Sequence, residues 1–164
     1  MLSRAMSLLS AGVGALFLVA QPGSAQTLSA QDRMFMENAA KGGMMEVHMG
    51  HLGLERGSSD GVKSFAKRLI DDHTKGGQEL QALAKQKGVM LPADNPTMPA
   101  ALTTKTGKDF DQAFAKMGIE DHEKDIKAFE KEASSGSDPD VKNWASKTLP
   151  TLKAHLDAAK ALPQ

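Results

Sequence analysis

Four polar side chains occupy positions where the apolar pattern of the sequence predicts core residues. They are Glu46, His73, His122 and His155, one on each of four predicted helices, and each lies on or beside the apolar face of its own segment. Burying a carboxylate and three imidazoles together is unfavourable unless they are paired, protonated or bound to an ion. Because one transition metal ion would satisfy all four, the pattern predicts a metal site inside a helical bundle.

A metal-free interior is the alternative interpretation. A single histidine on an apolar face is more often a hydrogen-bonded core residue than a metal ligand, and a single glutamate usually lies at the edge of its face. The four side chains would then form a buried polar network in a non-catalytic structural or stress-related bundle. Their coincidence on four different helices favours the metal site.

Asp72, directly before His73, is a further candidate in this site. It is predicted either to orient an imidazole or to contribute an oxygen ligand. The Asp71-Asp72 pair is equally compatible with a solvated helix face.

A separate face of the first helix carries Met44, His48 and His51 at the spacing i, i+4, i+7, pointing away from Glu46. Thioether and imidazole groups together suit copper. An exposed patch without function, or a contact with a partner, is the more ordinary interpretation of this face.

The elements that carry these residues are predicted from apolar positions that recur every three or four residues. The predicted helices run from about Ala30 to Arg56, from Val62 to Lys87, from Lys108 to Ala133, and from Asp138-Pro139 through Ala159. The glycine pairs Gly42-Gly43 and Gly76-Gly77 lie inside the first two. Each glycine costs up to about 1 kcal/mol relative to alanine in a helix, so close backbone approach of the two helices is expected there.

The segment from Val89 to Gly107 interrupts the helical pattern. Pro92, Pro96 and Pro99 exclude a continuous helix. Its length of about 19 residues exceeds the two to eight usual between neighbouring helices. The sequence therefore predicts an all-α four-helix bundle with one long crossover between its second and third helices.

Height along such a bundle shows which polar residues can meet. Counting residues from the predicted turns, at about 1.5 Å per residue, places the first three of the four at similar levels. His155 falls about two turns away. It is predicted to join the same site, to form a second and shallower one, or to hold a carboxylate such as Asp121 or Asp125 by a hydrogen bond.

The N-terminus has the layout of a secretory signal peptide over residues 1–25. Arg4 precedes an apolar stretch from Ala5 to Ala20, and small residues stand before Gln26. The stretch is shorter than the roughly 20 residues of a membrane span, so an uncleaved anchor is the lesser possibility. We expect a periplasmic or secreted protein, with outer-membrane association as a variant, and one domain over residues 26–164.

Composition excludes several classes of function. The mature region is nearly neutral and has no basic stripe, which argues against a nucleic-acid partner. Cysteine is absent, so thiolate metal sites are excluded. No nucleophile–base arrangement supports a hydrolase, and no glycine-rich loop follows a strand to bind phosphate. Enzymatic oxidation at a metal would need an open coordination position and redox chemistry, and it is the lesser alternative.

Short motifs in a fixed order extend over about Ala30 to Ala161, and together they resemble the bacterial domain-of-unknown-function family 4142. The motifs are Asp32-x-x-Phe35, Glu46-Val47-x-x-Gly50, Phe65-Ala66, Asp72-His73, Phe110-Asp111, His122, and Leu149-Pro150 with His155. The resemblance implies an exported, ferritin-like four-helix bundle without an assigned reaction.

Di-iron members of the wider ferritin-like group carry Glu-x-x-His pairs. Ile70, Ile119 and Leu152 stand three residues before the histidines of this chain, so no such pair exists. A mononuclear histidine and glutamate site for zinc, copper or iron is therefore expected in place of di-iron chemistry.

Overall fold

A computed structural model describes residues 28–93 and 96–163, and all regular structure in these ranges is helical. The helices are α1 (Ala30–Arg56), α2 (Asp60–Lys87), α3 (Ala100–Thr103), α4 (Gly107–Ser135) and α5 (Pro139–Lys160). The bounds of the four long helices agree with the predicted ones to within about two residues. The predicted signal peptide lies outside the described residues. Among the described helices, none has the length and apolar character needed to cross a membrane.

The four long helices form a bundle of two hairpins. α1 packs on α2 and α4 packs on α5, while α1 also contacts α4 and α2 also contacts α5. The backbone N–H and the hydroxyl of Ser58, in the α1–α2 turn, each donate to the carboxylate of Asp111 near the start of α4, both at 2.8 Å. α2 and α4 therefore begin at the same end, and the predicted bundle with one long crossover is confirmed.

Polar contacts also join the elements at the opposite end. The backbone N–H of Ser137, between α4 and α5, donates to Asp32 in the first turn of α1 at 2.8 Å. Lys87, the last residue of α2, donates to Asp138 at 2.8 Å and to Asp140 at 2.6 Å. Since Asp138 also caps α5, the end of α2 and the start of α5 are held together.

The apolar core consists of two clusters. One surrounds Phe65 and Phe114 on the side of the α1–α2 turn. The other surrounds Phe35 and Phe129, whose rings meet edge to face at 4.9 Å, on the side of the α4–α5 turn. On each long helix the predicted site residue falls between the positions that supply the two clusters, so a polar layer crosses the middle of the bundle.

Close approach of α1 and α2 occurs nearer their connecting turn than predicted. A Cβ atom on Gly53 would lie 2.6 Å from the Cβ atom of Ala66, and one on Gly50 would lie 2.8 Å from the Ala66 carbonyl oxygen. Nothing lies within 4 Å of a Cβ atom built on Gly76 or Gly77. The expectation of tight packing at the Gly76-Gly77 pair was therefore wrong, because these glycines border open space.

Candidate metal centre

Three imidazoles meet in the polar layer. One nitrogen atom from each of His73 on α2, His122 on α4 and His155 on α5 lies within 4.8 Å of the other two. His122 and His155 are fully buried, and His73 lies at the edge of the group with a partly exposed ring. Helices that are distant in sequence thus bring three metal-binding side chains to one point.

A hydrogen bond to the backbone fixes the protonation of His122. Its Nδ1 atom lies 2.7 Å from the carbonyl oxygen of Gly118. A carbonyl can only accept, so Nδ1 carries the hydrogen, and in the neutral ring Nε2 keeps an unshared electron pair. That pair points toward His155.

The ring of His155 is fixed in the same way. Its Nε2 atom lies 2.8 Å from the carboxylate of Asp72 and donates to it, which leaves Nδ1 with the electron pair. This Nδ1 atom lies 3.2 Å from Nε2 of His122. Two electron pairs therefore face each other with no hydrogen between them, and only a cation or an added proton makes the contact favourable.

Burial opposes the added proton. It lowers the pKa of His122 to about 4 and that of His73 to about 3, with the neighbouring histidines contributing to the shift of His73. The pKa of His155 is also lowered by burial, although its bond to Asp72 acts in the opposite direction. Since Nε2 of His73 is buried without a hydrogen-bond partner, three neutral nitrogen donors converge at neutral pH.

The spacing suits a metal ion. Imidazole nitrogens bind zinc at about 2.0–2.1 Å, and a tetrahedral angle then places neighbouring nitrogens about 3.3 Å apart. The 3.2 Å separation between His122 and His155 matches this value. A small movement of His73 would complete a three-nitrogen set with a fourth position open.

Glu46 lies beside this group and is not a member of it. Its Oε1 atom is 3.6 Å from Nδ1 of His122, the nitrogen that faces away from His155. Both carboxyl oxygens are buried without a partner. Burial, together with Asp121 and Asp125, raises the pKa of Glu46 well above its usual value. Oxygen ligation by Glu46 therefore stays a prediction, since its carboxylate lies beside the group of three imidazoles and outside it.

His155 lies level with His122, so the predicted offset of two turns was wrong. α5 has 22 residues and α4 has 29, so α5 stops short of the end of the bundle from which the height was counted. Counted from the α4–α5 turn instead, the two histidines differ by about three residues, or roughly 4.5 Å. The carboxylate partner of His155 is Asp72 and not Asp121 or Asp125.

Asp72 takes the orienting role, although on a different histidine from its sequence neighbour. It bonds His155 across the α2–α5 contact and lies 3.6 Å from Arg68. The resulting carboxylate–imidazole pair is the usual support of a histidine ligand. Sequence spacing could not reveal it, because the two residues are 83 positions apart.

A cavity of about 1180 Å³ adjoins the three imidazoles. Met44 and His48 line it together with His73 and His155, whereas His51 is exposed. This cavity and the carbonyl of Gly118 were not predicted from the sequence. The Gly76-Gly77 pair, which was predicted to allow close helix packing, instead borders the open space.

Comparison with known proteins gives a family and a fold. The sequence model of the family described as Domain of unknown function (DUF4142) matches residues 18–162. No protein of curated function matches significantly.

Solved structures share the bundle at low sequence identity. A DUF305 fragment from Deinococcus radiodurans has a TM-score of 0.70 and 16% identity, covering 81% of this chain and 95% of that one. CopM in its Cu(I)-bound form has a TM-score of 0.69 and 19% identity, covering 79% and 92%. CopM soaked with silver has a TM-score of 0.67 and 18% identity, covering 79% and 91%. At these identities the likeness shows the fold alone.

Proposed function

We propose that this chain, which belongs to the DUF4142 family, binds one transition metal ion in the middle of its bundle to store, buffer or sense that metal. The ligands are nitrogen atoms of His73, His122 and His155. The observation that carries the proposal is the contact of Nε2 of His122 with Nδ1 of His155 at 3.2 Å, with the hydrogen of each ring committed elsewhere. A metal ion relieves this repulsion without protonating a buried imidazole.

Copper is the ion that the site favours. Imidazole suits zinc, copper, iron and nickel, and among divalent ions copper binds a given nitrogen site most tightly. CopM, a structural neighbour, has been solved with Cu(I) and with silver, which supports the choice without establishing it at under 20% identity. Zinc is the expected competitor, and iron is less favoured because no carboxylate belongs to the group.

The proposed location is outside the cytoplasm. The pattern of Arg4 followed by an apolar stretch and small residues supports export. A periplasmic or secreted bundle meets metal that has not yet entered the cell. Storage or buffering is therefore a more fitting role than catalysis.

The metal-free alternative has one observation in its favour. Asp72, His155 and His122 form a continuous chain of contacts at hydrogen-bond distance, as expected of a structural polar network. Such a network needs a proton between the two histidines. Because burial lowers the pKa of both, we favour the metal.

Elemental analysis of the protein, purified without a metal-affinity tag, distinguishes the two proposals. We expect close to one equivalent of bound copper after loading and dialysis. His73→Ala and His122→Ala should each reduce this by at least tenfold, whereas His51→Ala should not, since His51 is exposed. Equal copper content in all four proteins would support the metal-free network.

A further inference from the structure

The cavity beside the imidazoles is large enough for an organic molecule. It begins at His73 and His155 and follows α2 as far as Lys85. Twelve residues of helix correspond to about 18 Å along its axis. The volume of about 1180 Å³ slightly exceeds the roughly 300–1,000 Å³ that small-molecule sites occupy. An elongated molecule would fit this space.

Glycines on α2 keep the space open. Gly76 and Gly77 both line the cavity, and a Cβ atom at either position would contact nothing within 4 Å. Glycine is the poorest helix former after proline, and no close packing accounts for the pair here. A larger side chain at Gly76 would project into the cavity. The glycine pair therefore leaves this space free, although it does not stabilise the helix.

The cavity wall combines apolar surface with one cationic side chain. Leu80, Phe129 and Leu152 supply apolar contacts, and Trp144 lies in the same wall. Lys85 also lines the cavity, is exposed, and makes no ion pair with the described residues. An acidic group of a bound molecule would pair with its ammonium group.

Charge sets the direction in which such an anion would lie. Asp72 and Asp125 line the cavity at its imidazole end, and Lys85 lies toward the other end. An anionic head group is repelled from the two carboxylates and attracted to the lysine. The polar end of the molecule therefore belongs near Lys85 and Trp144, with its apolar body extending toward the histidines.

We propose that this cavity binds an elongated organic anion, with an apolar body against Leu80, Phe129 and Leu152 and an acidic group near Trp144 and Lys85. The cavity shares His73 and His155 with the proposed metal site, but binding of the organic anion needs no metal.

The test uses 1-anilinonaphthalene-8-sulfonate, a fluorescent organic anion, and the full chain in the presence of a chelator. Trp144 is the only tryptophan of the chain and lines the cavity, so energy transfer from it reports dye bound nearby, and the variants below locate that dye in the cavity. We expect saturation at one dye per chain, with quenching of the tryptophan emission. Dye binding without quenching, or without a one-to-one endpoint, would contradict the proposal.

Matched variants separate cavity binding from loss of fold. Gly76→Leu should weaken dye binding at least tenfold while the melting temperature stays equal or rises. Lys75→Leu adds the same side chain at the neighbouring exposed position and should leave the affinity unchanged. Lys85→Gln should weaken binding about threefold to tenfold. A folded Gly76→Leu protein with unchanged dye affinity overturns the proposal, and so does a dye-dependent dimer.

The same variants distinguish this proposal from the metal proposal. Gly76→Leu leaves the three histidines in place, so copper binding should persist where dye binding is lost. Conversely, His122→Ala removes a metal ligand that does not line the cavity and should retain dye binding.

Discussion

The carboxylate of Asp72 on α2 accepts a hydrogen bond of 2.8 Å from Nε2 of His155 on α5. This contact determines which nitrogen of His155 faces the other two imidazoles. It also holds the plane of a ring that is fully buried, while Asp72 itself is partly exposed at the cavity wall. The carboxylate thus acts on the proposed metal through the histidine and not by contacting it.

Removal of this carboxylate should weaken metal binding without unfolding the bundle. We expect Asp72→Ala to lower copper affinity by about 10- to 100-fold, the usual effect of losing such a support. Competition with a chelator of known affinity measures the change. Asp71→Ala is the matched control, because Asp71 is exposed and its side chain pairs with Lys67 among the described residues. Equal losses in both variants would show that general charge, and not the orientation of His155, is responsible.

Metal affinity should depend unusually little on pH. Because burial holds the pKa of His122 at about 4 and that of His73 at about 3, protons compete with the metal at these two histidines only below about pH 4. Burial also lowers the pKa of His155. A histidine with the ordinary pKa of about 6.5 would lose about 30-fold in affinity at pH 5. We therefore expect less than about tenfold change between pH 7 and pH 5, measured by chelator competition.

The fold must be checked over the same range. In the unfolded chain the histidines take up protons near pH 6.5, so their contribution to stability is present above that pH and declines as the pH falls toward their folded pKa. Circular dichroism at each pH identifies the folded fraction. A steep loss of affinity in protein that is still folded would show that the imidazoles titrate normally and do not form a buried group.

The fold was predictable because its determinants are local. Apolar periodicity and caps such as Ser29 and Asp138 gave the helix bounds, and three prolines identified the crossover. The lengths of the helices then limited the number of ways in which the chain could fold back on itself. What the sequence could not supply was the depth at which α5 ends, since that depends on packing against α4, and the height assigned to His155 was wrong for this reason.

The sequence predicted that polar residues meet inside the bundle, but not how they are oriented. His73, His122 and His155 stand on apolar faces, and the structure brings their imidazoles together. Metal ligation by them stays a prediction. Their ring orientations depend on partners distant in sequence or in the backbone, such as Asp72 for His155 and the Gly118 carbonyl for His122. Glu46 shows the limit, since the same pattern predicted it as a ligand, whereas its carboxylate lies 3.6 Å from Nδ1 of His122 and outside the group of three imidazoles.

The negative charge of Asp125 should lower the free energy of unfolding at neutral pH. Burial, followed by the nearby charge of Asp121, raises the pKa of Asp125 from 3.8 to about 6. The folded protein therefore binds a proton more tightly than the unfolded chain, and stability falls as the pH rises from about 4 through 6. A shift of this size corresponds to at most about 3 kcal/mol.

We accordingly expect Asp125→Asn to stabilise the metal-free protein by about 1–3 kcal/mol at pH 7.5 and to have little effect at pH 4. Urea denaturation at the two pH values measures the difference. Glu79→Gln, at an exposed position of α2, should change stability by less than about 0.5 kcal/mol at both. A stabilisation by Asp125→Asn that is the same at pH 4 would mean that its charge is not the cause.

Replacement of Gly53 and of Gly76 by alanine should change the free energy of unfolding in opposite directions. At Gly53 the new Cβ atom would lie 2.6 Å from the Cβ atom of Ala66 and 2.8 Å from the ring of Phe114, both buried. Gly53→Ala should therefore lower the free energy of unfolding by about 1–3 kcal/mol. At Gly76 the Cβ atom would contact nothing within 4 Å, so Gly76→Ala should raise it by about 0.5–1 kcal/mol through helix propensity.

Urea denaturation of both variants at pH 7 in chelator gives the comparison, since both replace a glycine within a long helix of the same hairpin. Helix propensity favours alanine equally in the two cases, so any difference in sign arises from packing. Stabilisation by Gly53→Ala would mean that α1 and α2 separate at that level without cost, which contradicts close contact near their turn. Destabilisation by Gly76→Ala would mean that the α2 wall of the cavity closes against another element in solution.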